Sequence, residues 1–140
     1  GDKNEIFPTL WTRTLTSDAA SLWHFSEFTP EAVVVNLGTN DFSAPVAESD
    51  FEGAYAALLG DVRTRYPSAM IFCVTWANWG ASKEAWVQNA MAMTGDPDLR
   101  HVGFSIDPAD GLGCDYHTNL VTNAKLGLTL TQALQSELGW

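Results

Sequence analysis

The feature that most constrains the fold is an unbroken apolar, β-branched run, Ala32-Val33-Val34-Val35-Asn36-Leu37, bounded by Pro30 and Gly38. A strand with one wet face alternates polar and apolar residues. A run with almost no polar interruption belongs to a strand covered on both faces, as in a parallel sheet between helices. Met70-Ile71-Phe72-Cys73-Val74-Thr75 is a second such run. Between them Ser49-Asp50-Phe51-Glu52 reads as a capping box. Phe51, Tyr55, Leu58, Leu59, Val62 and Tyr66 then recur on one helical face until Pro67 stops it. A weaker helical pattern over 82–93 ends at Gly95, and His101-Val102-Gly103-Phe104-Ser105-Ile106 reads as a third strand. A last helix over 122–138 sets Leu126, Leu130, Leu134 and Leu138 four residues apart, and the N-terminal stretch around Phe7, Pro8 and Trp11 reads as loop.

This βαβαβα order predicts an α/β fold, a three-layer α/β/α sandwich on a parallel sheet with right-handed crossovers. No repeat, low-complexity tract or linker divides residues 1–140, so one domain is expected, and 46% hydrophobic residues suffice for its core. The formal charge of −10 repels phosphate backbones and anionic headgroups, which argues against nucleic acid and membrane partners. No stretch approaches the roughly 18 apolar residues of a membrane span, and the polar start Gly1-Asp2-Lys3-Asn4-Glu5 lacks the layout of a signal peptide. Cys73 and Cys114 lack zinc-ligand spacing, so neither metal nor cofactor is expected; they pair if the protein is exported and geometry permits.

Ligands of such sheets gather beyond the carboxyl ends of the strands, here the loops 38–43, 76–81 and 106–117. In the first, Gly38-Thr39-Asn40-Asp41 forms either a plain Asx turn or a glycine turn presenting the Asn40 carboxamide to a developing oxyanion, an interaction worth roughly 3 kcal/mol of barrier. In the last, Asp110-Gly111-Leu112-Gly113-Cys114-Asp115-Tyr116-His117 delivers an imidazole that is either a solvated loop side chain or a general acid/base. His24 and His101 read as surface or packing residues.

Taken together, Asn36-Leu37-Gly38-Thr39-Asn40-Asp41-Phe42-Ser43 and Gly113-Cys114-Asp115-Tyr116-His117 resemble blocks III and V of the SGNH (GDSL-like) hydrolases, most closely the acetyl-xylan esterases of carbohydrate esterase family 2. Leu10-Trp11-Thr12-Arg13-Thr14-Leu15, Trp23 and Phe25-Ser26 are similar too, so the resemblance covers nearly the whole chain. It implies a flavodoxin-like fold and hydrolysis of acetyl esters on carbohydrate through a serine acyl-enzyme. Asn40 would be the oxyanion donor and His117 the general acid/base. Tyr116 would lie against the sugar, Trp76 or Trp79 would line the cleft, and Gly38 would supply the turn. Asp115 stands one residue closer to the histidine than the family's DxxH spacing, where Cys114 falls instead, so either Asp115 or a backbone carbonyl orients the ring. Thr118 replaces the proline often found after the histidine.

The family's serine block and second oxyanion glycine block are not evident. Gly1-Asp2-Lys3 matches two letters of G-D-S and puts lysine at the nucleophile. Ser49 and Ser82 read as caps, Ser68 as a turn residue and Ser43 as part of the Asn40 loop, which leaves Ser26 and Ser105 as the conceivable substitutes. The expectation is a partial domain with about three core strands and its N-terminal strands missing. By resemblance to the family sheet order 2-1-3-4-5, the strand at 32–37 should be central, yet here it becomes an edge. A second copy of the chain or the absent N-terminal half would cover it. The implied substrate is a small ester or an acetylated carbohydrate and the implied location extracellular or periplasmic. Two other readings stand beside this one: slow hydrolysis by the isolated chain, and a non-catalytic carbohydrate-binding or assembly module.

Overall fold

The computed structural model describes residues 6–43 and 45–140; Gly1, Asp2 and Lys3, with their partial match to G-D-S, lie outside the described residues. At its centre β2 (Met70–Trp76) pairs on both sides. It runs parallel to β1 (Ala32–Val35), with Ala32 opposite Met70, and parallel to β3 (Leu99–Phe104), with Ile71 opposite Leu99. Four helices accompany the strands: α1 (Phe7–Leu10), α2 (Glu48–Arg65), α3 (Ala81–Thr94) and α4 (Leu120–Leu138).

Alternation along β2 builds the layers. Ile71 and Cys73 point to one face, where Leu58, Leu59 and Val62 of α2 and Val87 and Ala90 of α3 close over them. Phe72 and Val74 point to the other, where Val102 and Phe104 of β3 meet Leu126 of α4. This is the expected α/β/α sandwich, with three strands. Leu130, Leu134 and Leu138 join the α4 layer at its margin.

Several boundaries differ from the sequence reading. Helix α2 begins at Glu48, with Ala47 at its N-cap and no side-chain cap, so Ser49 lies inside the first turn and the capping box does not form. The Ala47 carbonyl already receives the amides of Asp50 and Phe51, both at 3.1 Å, and Glu48 and Asp50 set negative charge against the helix dipole. Glu52 instead accepts from Asn89 Nδ2 of α3 at 2.8 Å. Ser82 likewise falls inside α3, which starts after Gly80. Helix α4 starts two residues early because the Asn119 carboxamide caps it, accepting from the Thr122 amide at 3.0 Å. Strand β3 occupies 99–104, earlier than expected, because its register with β2 opens at Leu99.

The two cysteines do not pair. Cys73 is buried against α2, where burial pushes its thiol up to about 12, while Cys114 is exposed on a loop after β3, and both are free. The N-terminal stretch holds α1 and a turn bridged between Arg13 and Leu22, not loop alone. Trp11 ties it to α2 by donating Nε1–H to Asp61 at 3.1 Å, and Arg65 lies over the Phe25 ring at 4.1 Å.

Arg63 closes α2. Its Nε meets Asp96 at 2.7 Å, and Nη1 donates to the carbonyls of Tyr66, Pro67 and Ala69 at 3.2, 3.1 and 2.7 Å. This partly buried guanidinium therefore holds the turn into β2 and the turn before β3 together. Arg63→Met should lower the free energy of unfolding by about 2–3 kcal/mol, measured by urea titration. A loss below about 0.5 kcal/mol would show that water replaces these bonds without penalty.

Candidate functional site

Because the strands are parallel, the loops after β1, β2 and β3 leave the sheet at the same end. After β1 the chain turns on Gly38, which is buried at φ +124°, a conformation that L side chains rarely adopt. A Cβ there would stand 3.2 Å from both Phe42 Cε2 and Trp79 Cη2. The Phe42 amide returns to the Gly38 carbonyl at 3.1 Å, and the Ser43 hydroxyl donates to the Asn40 backbone carbonyl at 2.6 Å. The loop is thus closed without the Asn40 side chain. That carboxamide is exposed and makes no hydrogen bond among the described residues, so the Asx turn does not form.

The carboxyl end of β2 and the loop after it carry the two tryptophans. Trp76 donates Nε1–H to Asn36 Oδ1 at 2.8 Å, which fastens the β1 loop to the end of β2, and it packs edge-on to Phe104 at 5.5 Å. Trp79 is half-buried against Gly38 and Phe42, and its indole N–H is buried with no partner among the described residues.

The loop after β3 presents His117 on a tight hairpin. Leu112 bridges Thr118, and the Gly113 amide donates to the His117 carbonyl at 2.7 Å. Asp115 and Tyr116 both have positive φ, +51° and +60°, and the His117 amide returns to the Cys114 carbonyl at 3.1 Å. This is the mirror-image turn that glycine or asparagine usually fills, so its backbone is strained. The same Cys114 carbonyl lies 3.2 Å from His117 Nδ1. A carbonyl only accepts, so Nδ1 carries the proton and Nε2 is the basic nitrogen. Between the two alternatives for orienting the ring, the backbone carbonyl holds Nδ1, and Asp115 shapes the turn. Tyr116 projects into solvent, 86% exposed.

The hairpin is anchored from below. Lys125 of α4 grips both Asp110 carboxylate oxygens, at 2.7 and 2.6 Å, and these bonds raise the lysine's pKa. Asn119 donates to the Asp110 carbonyl from the α4 cap. Gly38 and Asn40 thus lie on a loop in contact with Trp76 at the end of β2 and Trp79 on the loop after it, while Asp115, Tyr116 and His117 share the third loop. No hydrogen bond among the described residues joins His117 to a serine hydroxyl. Ser105 follows β3 directly, and Ser26 sits in a short 3-10 turn at Phe25–Glu27. No group of three or more metal-ligating side chains, and no helix long and apolar enough to cross a membrane, occurs among the described residues.

The GDSL-like Lipase/Acylhydrolase family model matches residues 11–100, which includes β1, the Asn40 loop and β2. The chain belongs to this family. Among curated relatives, the cellulase/esterase CelE of Acetivibrio thermocellus is 36% identical over 127 residues, 84% of this chain and 16% of that protein. A family two carbohydrate esterase from Clostridium thermocellum, solved with cellohexaose, is 31% identical at a TM-score of 0.90, covering 100% of this chain and 46% of that one. A carbohydrate esterase family 2 enzyme with a carbohydrate binding domain, from Corynascus thermopiles, is 29% identical at a TM-score of 0.85, covering 99% and 47%. The chain therefore spans less than half the length of these relatives. The α/β fold of the family is the one seen here.

One polar cluster escaped the sequence reading. His101 Nε2 of β3 lies 2.7 Å from the Thr75 hydroxyl of β2 and 3.5 Å from Glu84 of α3. Its only sequence signal is alternation: His101 shares a face with Leu99, which packs under α3. Burial lowers the pKa of His101 from 6.5, against the upward pull of Glu84.

Two predictions follow from this geometry. The folded-state pKa of His101 is depressed, so as pH falls through about 6.5 the unfolded chain takes up the proton first and stability declines. His101→Gln should flatten the unfolding midpoint between about pH 7 and 5.5, and an unchanged slope would mean that the imidazole titrates alike in both states. Asp115→Gly should raise the free energy of unfolding by about 0.5–1 kcal/mol, because relief of the positive φ outweighs the added freedom of the unfolded chain. Chemical denaturation reads this, and a net loss would assign the Asp115 carboxylate a structural role of its own.

Proposed function

We propose that this chain supplies the oxyanion and general acid/base parts of an acetyl esterase acting on carbohydrate, in a single domain completed by a serine-bearing segment outside these 140 residues. The observation that carries the reading is the pairing of two unengaged groups at one end of the sheet. The Asn40 carboxamide is left free on a closed glycine turn, and His117 has its Nδ1 proton committed to Cys114, which frees Nε2.

In the reaction, Nε2 of His117 takes the serine proton as the hydroxyl oxygen attacks the acetyl carbonyl. Asn40 donates its side-chain N–H to the oxyanion of the tetrahedral intermediate. His117 then returns the proton to the departing sugar oxygen, leaving an acetyl-serine. Water, deprotonated by the same nitrogen, attacks that ester, and His117 gives the proton back to the serine oxygen as acetate leaves. Gly38 sets the turn, Tyr116 offers its exposed ring to the sugar face, Trp76 and Trp79 line the approach, and Asp115 keeps the histidine turn in shape. No metal or cofactor enters these steps. The relative solved with cellohexaose and the charge of −10, which suits a neutral sugar better than a polyanion, support a carbohydrate substrate. A polymeric substrate goes with an extracellular or periplasmic location.

The open edge of β1 supports the external segment. Beside it runs a groove of about 290 Å³ lined by Phe7, Trp11, Val33, Val34, Leu37 and Leu58, among others, and Val34 is 41% exposed. Unpaired strand edges are closed in native proteins by pairing, covering or charge. An added parallel strand fits here, and a second copy of the chain is the rival occupant.

The test mixes the chain with the N-terminal half of the Clostridium thermocellum esterase and follows acetate release from acetylated xylan. Turnover should appear in the mixture, fall by about 10³-fold or more with His117→Ala and fall about 10²-fold with Asn40→Ala. Wild-type rates in the His117 variant would sink the mechanism. Turnover by the chain alone, with a phosphonate label on Ser26 or Ser105, would move the nucleophile inside it. Sugar binding without turnover in the mixture would favour a non-catalytic module. Light scattering on the chain alone separates a homodimer from a monomer with an open edge.

A further inference from the structure

We propose that Phe42 and Trp79 are positioning residues that clamp the Asn40 loop, so that an otherwise unsupported carboxamide points at the oxyanion; this rests on the reading of Asn40 as oxyanion donor. The Asn40 side chain has no hydrogen-bond partner among the described residues, so nothing but its backbone directs it. That backbone is fixed two residues away on either side. On one side stands Gly38, whose bare α-carbon admits the Trp79 and Phe42 rings so closely that a Cβ would meet each at 3.2 Å. On the other stands Phe42 itself, whose amide closes the turn onto Gly38.

Phe42 is the hub of a box built from three separate elements. Its ring centroid lies 4.8 Å from Phe51 of α2, 5.0 Å from Trp79 of the β2 loop and 5.8 Å from Trp86 of α3. Lys83 places its ammonium 3.1 Å from the Trp86 ring centroid and 5.2 Å from that of Phe42, closing the box with a cation–π contact. The indole N–H of Trp79 is buried without a partner among the described residues, which hold the ring there by shape and not by a hydrogen bond. Such a residue can be trimmed without breaking a polar contact. Misplacing a catalytic donor by about 1 Å costs on the order of 100-fold in rate, so a loop clamped by rings from rigid helices has a direct chemical consequence.

The first arm of the test needs no substrate. By ¹⁵N relaxation on the whole chain, Phe42→Leu should drop the backbone order parameters of residues 39–41 from about 0.85 to below about 0.6 while β2 and α2 keep theirs. Unchanged order at 39–41 overturns the clamp. The second arm uses the mixture described above, with rates normalised to active sites titrated by phosphonate. Phe42→Leu and Trp79→Phe should each lower kcat by about 10-fold or more, Phe42→Leu with KM within about twofold, and Phe42→Tyr, which keeps the ring, should restore most of it. In an Asn40→Ala background the same substitutions should have no further effect on kcat, because they act through Asn40. Additive losses overturn the proposal, since a general packing defect would be felt whether or not Asn40 is present. If Asn40→Ala alone leaves kcat intact, the oxyanion reading fails with it, an outcome distinct from additivity. Should Phe42→Leu not fold, Trp79→Phe carries both arms.

Discussion

The structure depends on β2 being enclosed from four directions at once. Two strands satisfy its backbone along both edges, and helices cover both its faces, so no residue from Ile71 to Thr75 retains measurable exposure. Such a strand tolerates polar groups only when their needs are met locally. Cys73 complies by staying a neutral thiol, and Thr75 by bonding to His101 of the neighbouring strand. Parallel pairing on both sides then forces a crossover between each pair of strands and sends all three carboxyl-end loops to one rim. The position of Asn40, Trp79 and His117 at a common end follows from the enclosure of a strand whose own share in the chemistry proposed is Trp76 at its carboxyl end.

That enclosure is complete for β2 and incomplete for β1. Ala32 packs with the α4 layer and Val33 with the α2 and α3 layer, so by alternation Val34 faces the α4 side, where it remains 41% exposed. On α4, Val121 and Leu128 are exposed as well. Among the described residues the open surface at β1 thus has two parts, an unpaired strand edge and the exposed Val34 side chain. A bare strand laid on β1 would close the first. The solved relatives, more than twice as long as this chain yet matching it at TM-scores of 0.85 to 0.90, show the same arrangement inside a larger molecule.

What could be read in advance tracks how local its cause is. The runs at 32–37 and 70–75 announced a parallel sheet because exclusion of polar residues is written directly into the chain, but the first strand ends at Val35, short of the expected Leu37, and leaves Val34 exposed among the described residues, so only β2 is covered on both faces. The stripe of Phe51, Tyr55, Leu58 and Val62 marked α2 for the same reason. Helix starts were less legible: Ser49 and Ser82 have cap chemistry, but the chain entering from Ala47 and Gly80 had already begun each turn. The position of β3 was decided by register against β2, which no property of residues 99–106 specifies. Within the site, Asn40 and His117 were legible through their short motifs, whereas Phe42, Lys83 and Trp86 acquire meaning only once α3 packs beside the loop. The cluster of Thr75, Glu84 and His101 joins three elements and has no motif at all.

The two loops proposed to carry the chemistry are held still by different means, and the difference follows from where they lie. The Asn40 loop runs close to the core, so aromatic rings from α2 and α3 reach its Phe42, and glycine at 38 is the condition for the approach of Phe42 and Trp79. The His117 hairpin stands out in solvent, beyond the reach of any buried ring, and relies instead on a strained turn, a shared carbonyl and the grip of Lys125 on Asp110. In both cases the ordering is done by residues of this chain. Electrostatic catalysis is most effective when donors and bases need not reorganise as charge develops. A serine delivered from another segment would therefore meet a donor loop and a base already ordered, and the bonds to the Cys114 carbonyl and from Lys125 to Asp110 hold the second of them in place despite the strain at Asp115 and Tyr116.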